Sequence, residues 1–179
     1  MRDGQDRRLA ERRFREVFSH LGSVTAYARR RGSLDADAIA AETMTIAWRR
    51  LSVVPKDDPR PWLYATARNL VRAEARRVAR QVDLGDRARD PASPAMDLCE
   101  FDRELSRALS GLAQIDRELL LLIAWEDLTP SQAARSLGIN PVACRVRLFR
   151  ARKRLVTALR VPSTEPVEVL DTQSDSEGV

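Results

Sequence analysis

The strongest constraint on the fold is a run of helix starts and stops between residues 125 and 141, with the sequence Trp-Glu-Asp-Leu-Thr-Pro-Ser-Gln-Ala-Ala-Arg-Ser-Leu-Gly-Ile-Asn-Pro. The Thr129 hydroxyl can accept a hydrogen bond from a free backbone N–H at a helix start. Pro130 suits the first turn, where a backbone N–H has no partner within the helix. Gln132 completes a capping box, Gly138 predicts the helix end, and Asn140-Pro141 predicts a second start. This pattern is typical of a helix-turn-helix, whose second helix enters the DNA major groove.

The second of these helices is expected to carry one apolar stripe and one basic face. Cys144, Leu148, Ala151 and Leu155 share the stripe, so Cys144 is expected to be a buried small side chain rather than a redox thiol. Arginine suits guanine or phosphate, and apolar groups suit thymine methyls. The candidate duplex-binding residues are Arg145, Val146, Arg147, Phe149, Arg150 and Lys153. A merely solvated helix edge is the alternative interpretation.

Composition favours an all-α protein, because the chain holds 29 Arg, 24 Ala and 21 Leu among 179 residues. With one histidine and two cysteines, we expect no disulfide framework, metal site, cofactor or catalytic residue. The longest apolar run, Leu119–Trp125, is too short to span a bilayer, and the N-terminal segment lacks the apolar core of a signal peptide. We therefore expect a cytoplasmic protein without membrane insertion.

Charge is distributed unevenly. Residues 1–160 hold 31 basic and 21 acidic residues, a net charge of +10, whereas residues 161–179 hold five acidic residues and no basic ones. A basic body favours a polyanionic partner, most simply nucleic acid. The alternative is a compositional bias toward arginine that only keeps the protein in solution.

Helix starts and stops along the whole chain, together with its polar segments, predict two small helical domains joined by a flexible linker. A domain over residues 1–82 precedes a polar, acidic linker at 83–97, a second domain at 98–160 and a disordered acidic tail at 161–179. Each domain is expected to have its own core.

The first domain offers two candidate surfaces. One is a helix that begins at Pro61, in which a basic stripe made by Arg68, Arg72 and Arg76 lies beside Asn69, while Tyr64 at the helix start either stacks on unpaired bases or packs the core. The other is the helix over residues 35–51, whose polar face carries Glu42, Thr45 and Arg49 and indicates scaffold or a protein-binding surface.

Three segments share their order and spacing with a known family. They are Asp-Ala-Asp-Ala-Ile-Ala-Ala-Glu-Thr-Met-Thr-Ile-Ala-Trp-Arg-Arg-Leu at 35–51, Pro-Trp-Leu-Tyr-Ala-Thr-Ala-Arg-Asn-Leu at 61–70 and Val-Arg-Leu-Phe-Arg-Ala-Arg-Lys-Arg-Leu at 146–155. Together they resemble the extracytoplasmic-function sigma factors of bacteria, in a branch that looks actinobacterial. The resemblance implies two helical domains, sigma regions 2 and 4, that join core RNA polymerase and direct it to promoters.

The resemblance also implies roles for particular residues. Glu42, Thr45 and Arg49 would dock on the clamp of the largest polymerase subunit, and region 4 would meet the flap. Tyr64, Arg68, Asn69, Arg72 and Arg76 would serve the single-stranded minus-ten element, and the basic helix would bind the minus-thirty-five duplex. An anti-sigma protein is a further expected partner, and the acidic linker would mimic a polyanion in the polymerase channels.

The sequence departs from the commoner family pattern at Ala38, Ala41 and Met44, and at Val-Ala-Cys over residues 142–144. These changes leave the promoter preference open. Two other functions remain open from the residues alone. One is an autonomous helix-turn-helix regulator, and the other is a nuclease-like protein that would hold magnesium with Asp35, Asp37 and Glu42.

Overall fold

The computed structural model describes residues 2–82 and 103–160, and within these ranges the regular structure is entirely helical. The predicted all-α class is therefore confirmed. The linker predicted at 83–97 and the tail predicted at 161–179 lie outside the described residues. The helices are α1 (Arg2–Phe18), α2 (Leu21–Arg30), α3 (Ala36–Arg49), α4 (Arg60–Val82), α5 (Arg103–Ser110), α6 (Gln114–Ala124), α7 (Pro130–Leu137) and α8 (Pro141–Arg160).

Local chemistry sets the breaks in the first domain, which comprises α1 to α4. Gly32 follows α2 with a φ of 71°, a left-handed conformation that glycine adopts without a Cβ penalty. Asp35 caps α3, because its carboxylate accepts a hydrogen bond from the backbone N–H of Ala38 at 2.8 Å. The proline-spaced segment between α3 and α4 is a loop, as predicted.

The first domain is built around α2, which packs against α3 and α4, while α1 packs on α3. Tyr27 and Leu63 are among its most deeply buried side chains. The loop before α4 is held from α1, since the Arg13 guanidinium donates to the carbonyls of Val54 at 3.2 Å and Pro55 at 2.7 Å. This places the loop at a fixed position beside the start of α4.

The second domain comprises α5 to α8, with α6 against both α7 and α8 and with α5 against α8. Leu119, Leu122 and Leu128 are buried at its centre. The short turn between α5 and α6 is braced by Arg117, whose guanidinium donates to the Leu109 carbonyl at 2.8 Å. These contacts fix the platform on which α8 lies.

The two domains contact each other directly, with α4 packed against α7. Buried residues of both domains form one continuous hydrophobic cluster. This differs from the expectation of two separate cores. The physical reason is that α4 packs against α2 and α3 of its own domain and against α7 of the second domain, and its buried side chains, among them Leu63 and Val71, belong to the shared cluster.

Candidate nucleic-acid interface

The predicted helix-turn-helix is present as α7 and α8. The Thr129 hydroxyl accepts from the Gln132 backbone N–H at 3.3 Å, and the Gln132 side-chain oxygen accepts from the Thr129 N–H at 2.6 Å. Gly138 ends α7 with a φ of 66°, and the Asn140 side chain accepts from the Val142 N–H at 2.8 Å at the start of α8. These hydrogen bonds confirm the capping box, the glycine end and the second cap.

The inner face of α8 is the predicted apolar stripe. Cys144 and Ala151 have no solvent exposure, and Leu148 is buried as well. Cys144 donates its S–H to the Pro130 carbonyl at 3.2 Å, which ties α8 to the first turn of α7. Burial raises the pKa of the Cys144 thiol, so the side chain acts as a packed group, as predicted.

The outer face of α8 presents apolar groups among positive charges. Phe149 is 70% exposed and Val146 is 44% exposed, and both lie between exposed basic side chains. All four basic residues predicted to contact duplex DNA are exposed, namely Arg145, Arg147, Arg150 and Lys153. Exposed apolar side chains do not stabilise the fold. In a DNA major groove, however, they can contact the methyl groups of thymine.

Arg147 differs from the other candidates on this face. Its guanidinium donates to the Asp116 carboxylate on α6 at 3.0 Å, and that carboxylate is buried. Arg154 approaches the same carboxylate at 3.8 Å. Arg147 therefore joins α8 to α6, a structural contact that the sequence prediction of a DNA-binding residue did not include.

The basic stripe on α4 is only partly accessible. Asn69 and Arg76 are exposed, and Arg68 is half-buried. The Arg72 guanidinium donates to the side-chain oxygen of Gln114 in the second domain at 3.2 Å. The stripe is thus open toward its C-terminal end and engaged by the second domain near its middle.

Tyr64 does not present a stacking face in this arrangement. Its ring is 3% exposed and lies 5.2 Å from the ring of Tyr27, with the two planes tilted by 37°. Burial, followed by the charge of Glu126, raises the pKa of Tyr64 to about 12. Of the two interpretations of Tyr64, packing is the one this conformation displays, because the apolar ring gains more from burial beside α2 than from solvent.

The polar face of α3 is exposed at Glu42, Thr45 and Arg49. Next to it lies an aromatic side chain that is not among the residues predicted to bind the polymerase. Trp48 is 46% exposed and meets Phe14 of α1 edge to face at 5.0 Å. The helical spacing places Trp48 beside the charged face. Whether it is a binding residue or a core residue depends on the position of α1, which the sequence does not give.

A second missed feature is a group of charges between the two domains. Arg31 approaches Glu118 at 3.1 Å and Glu126 at 3.6 Å, and Arg30 approaches Glu126 at 2.7 Å. Tyr27 donates its hydroxyl to Glu118 at 2.8 Å. We call these five residues the interdomain charge cluster. Its hydrogen-bonded partners lie 87 to 96 positions apart in the sequence, so no local pattern indicates that they meet.

Two further observations bear on the other candidate functions. Among residues 2–82 and 103–160, no three His, Cys, Asp or Glu side chains lie together as metal ligands, and Asp35 is engaged in capping α3. Across those same ranges, every helix is too short or too polar to cross a membrane.

Known proteins match the chain across both domains. The family model for sigma-70 region 4 matches residues 102–155. The RNA polymerase sigma factor CnrH of Cupriavidus metallidurans is 30% identical over 172 residues, covering 86% of this chain and 90% of CnrH. The ECF RNA polymerase sigma factor EcfG of Rhodopseudomonas palustris is 30% identical over 144 residues, covering 76% of this chain and 78% of EcfG.

A solved structure shows the same likeness. CnrH in complex with the cytosolic domain of CnrY superposes with a TM-score of 0.58 at 27% identity, covering 83% of this chain and 88% of that one. The helix-turn-helix and the match to sigma-70 region 4 define the class of this protein, which is that of the transcription initiation factors. More particularly, the chain belongs to the extracytoplasmic-function family of RNA polymerase sigma factors. As such it binds core RNA polymerase and directs it to promoter DNA.

Proposed function

We propose that the outer face of α8 recognises the minus-thirty-five element as duplex DNA. The observation that carries this assignment is the exposure of Phe149 and Val146 between Arg145, Arg150 and Lys153, on a helix whose other face is fully packed. Arg150 and Arg145 supply hydrogen-bond donors for guanine or phosphate, while Lys153 supplies a point charge. Arg147 contributes mainly by holding α8 on α6.

The α4 surface is assigned to the minus-ten element. Asn69 and Arg76 are exposed and Arg68 is half-buried, so amide and guanidinium groups are available to an unpaired base and its phosphates. Arg72 would join this surface after the second domain moves away from α4, since its guanidinium is engaged at the domain contact. Tyr64 would join it only by leaving its packing against Tyr27 of α2.

The exposed face of α3 is assigned to docking on the clamp of the largest polymerase subunit. Glu42, Thr45 and Arg49 provide polar contacts there. Trp48 beside them adds a large apolar area, and tryptophan is enriched among residues that dominate binding energy at protein interfaces.

The proposal includes the setting in which these surfaces act. The factor contributes binding and positioning, with no catalytic activity of its own, and it works in the cytoplasm, where core polymerase meets promoters. Because the solved CnrH is in complex with the cytosolic domain of CnrY, we propose that a protein of the anti-sigma kind also holds this chain. The flap of the polymerase is the proposed second contact, made by the second domain.

The test is run-off transcription with purified chain and core polymerase on a fragmented genomic template, followed by mapping of transcript starts. The starts should share two elements, and the double variant Val146→Ala with Phe149→Ala should lose transcription from them while retaining core binding. The matched control is Leu34→Ala, another exposed apolar residue, which lies before α3. Failure to bind core polymerase would overturn the proposal. Duplex binding of the free chain with full affinity would instead favour an autonomous regulator.

A further inference from the structure

We propose that the N-terminal half of α8 reads thymine through its methyl group, and that Val142 is a further specificity-determining residue beside Val146 and Phe149. This rests on the assignment of α8 to duplex DNA made above, and it goes beyond that assignment by naming the base feature that is read. It also sets a limit, because Val156 on the same face of the helix takes no part.

Val142 is an exposed apolar side chain in the first turn of α8, with 61% of its surface open to solvent. At about 100° per residue, Val142, Val146 and Phe149 fall within an arc of about 60° around the helix axis. The buried Cys144 and Leu148 lie on the opposite side. The three exposed apolar side chains therefore form one line along the outer face, which we call the outer apolar line.

Positive charges flank the outer apolar line without interrupting it. Arg145 lies about 60° from Val142 on one side and Arg150 about 80° on the other, and both are exposed. The centre of the face thus consists of valine and phenylalanine, whose side chains carry no hydrogen-bonding group. Guanine is read by hydrogen-bond donors, whereas thymine alone presents a methyl group in the major groove. The centre of this face therefore favours thymine, and the two arginines are placed to reach phosphates or bases at its edges.

The length of the outer apolar line matches a short stretch of duplex. From Val142 to Phe149 the helix rises by about 10 Å, which is close to the major-groove width of about 12 Å and to about three base-pair steps. Val156 is 46% exposed but lies about 21 Å along the axis from Val142. Recognition helices contact base edges with their N-terminal residues. Val156 is therefore the same type of residue on the same face, outside the reach of the groove.

The first turn of α8 is held in place by contacts within the protein. The Asn140 side chain accepts a hydrogen bond from the Val142 backbone N–H at 2.8 Å. Two residues further on, the Cys144 thiol donates to the Pro130 carbonyl of α7. A valine in a helix also has one strongly preferred side-chain rotamer. Val142 would lose little conformational entropy on binding, so that a contact with a single methyl group would be expressed in the affinity.

The test uses holoenzyme reconstituted from the full chain and core polymerase, with a promoter duplex found by the transcript mapping described above. Each thymine of the minus-thirty-five element is replaced in turn by uracil, which lacks the methyl group and keeps the hydrogen-bonding groups. Competition binding gives the relative affinities. The variant is Val142→Ala, and the matched control is Val156→Ala, which makes the same change on the same exposed face. Thermal melting of the free chain shows that both variants fold.

Uracil should weaken binding of the wild type about fourfold at each thymine that is read, the effect expected for one carbon atom no longer buried. Val142→Ala should lose this penalty at one position and keep it where Val146 or Phe149 is the reader. Val156→Ala should show the same affinities and the same uracil penalties as the wild type.

Equal affinity of the wild type for thymine and uracil at every position would overturn methyl readout while the assignment of α8 to duplex DNA stands. An unchanged set of uracil penalties in a folded Val142→Ala variant would overturn the role of Val142. A loss in Val156→Ala equal to that in Val142→Ala would overturn the limit on the outer apolar line. If the double variant Val146→Ala with Phe149→Ala keeps full promoter use, the assignment of α8 to duplex DNA is itself what fails.

Discussion

Arg147 on the outer side of α8 donates to the buried carboxylate of Asp116 on α6 across 3.0 Å. A side chain on the helix proposed to bind DNA therefore also joins that helix to α6. Arg147→Ala should lower the free energy of unfolding by about 1–2 kcal/mol, because it leaves a buried acidic group without its nearest cation. Thermal melting checks this, with Arg145→Ala on the same helix as the control that should leave stability unchanged.

Arg150 and Lys153 should differ in what they contribute to promoter binding. Arg150→Ala should weaken binding by about 1–3 kcal/mol and relax the preference at one base pair, if its guanidinium makes a bidentate contact. Lys153→Ala should weaken binding to all sequences alike and reduce the salt dependence. Fluorescence anisotropy on a promoter and its single-base variants separates the two. Equal loss of core binding in Arg150→Ala would contradict the assignment to DNA.

Exposed and buried apolar residues of α8 should separate promoter binding from stability. Phe149→Ala should leave the melting temperature unchanged and reduce promoter use, since the ring is 70% exposed. Leu148→Ala should lower the free energy of unfolding by about 2–5 kcal/mol, because it opens a cavity in the core. Equal destabilisation by both changes would mean that Phe149 packs in the core.

Trp48→Ala should weaken binding to core polymerase while leaving minus-thirty-five duplex binding unchanged. The expected loss is about 2 kcal/mol, in the range found for aromatic residues at the centre of interfaces. Surface plasmon resonance with immobilised core polymerase measures it, and Leu34→Ala, also exposed, is the control. A matching fall in melting temperature would instead indicate that the Phe14 contact supports the fold.

Acid should weaken the contact between the loop before α4 and α7. Burial disfavours the charge of Asp58, but hydrogen bonds from Arg60 and Gln132 outweigh it, so the pKa of Asp58 is lower than its ordinary value of 3.8. A depressed pKa contributes stability that is fully present at neutral pH and is lost as the pH falls below 3.8 through the lower value. The difference between the melting temperatures at pH 7 and pH 3 should be smaller in Asp58→Asn than in the wild type.

Local chemistry accounts for what could be predicted from the sequence. The caps at Thr129 and Asn140, the glycine end at Gly138 and the apolar stripe of α8 depend on residues within a few positions of one another. The exposed candidates on α8 and α3 follow from the same periodicity. These features need no knowledge of the rest of the fold.

What could not be predicted depends on distant partners. Arg31 lies in a turn after α2, and nothing near it in sequence indicates that Glu118 will meet it. Tyr64 follows a proline loop in a pattern equally compatible with stacking or packing, and its burial follows from the position of α2 and the second domain. Arg147 belongs by periodicity to the exposed side of α8, yet it reaches back to Asp116 along a long side chain.

Gln132 uses the two ends of one amide for different purposes. Its oxygen accepts from Thr129 within the capping box, and its nitrogen donates to Asp58 of the first domain. Separation of the domains breaks only the second of these hydrogen bonds. The helix-turn-helix would therefore be ordered before it binds DNA. The conformational entropy of ordering it would be lost during folding, and promoter binding would not include that cost.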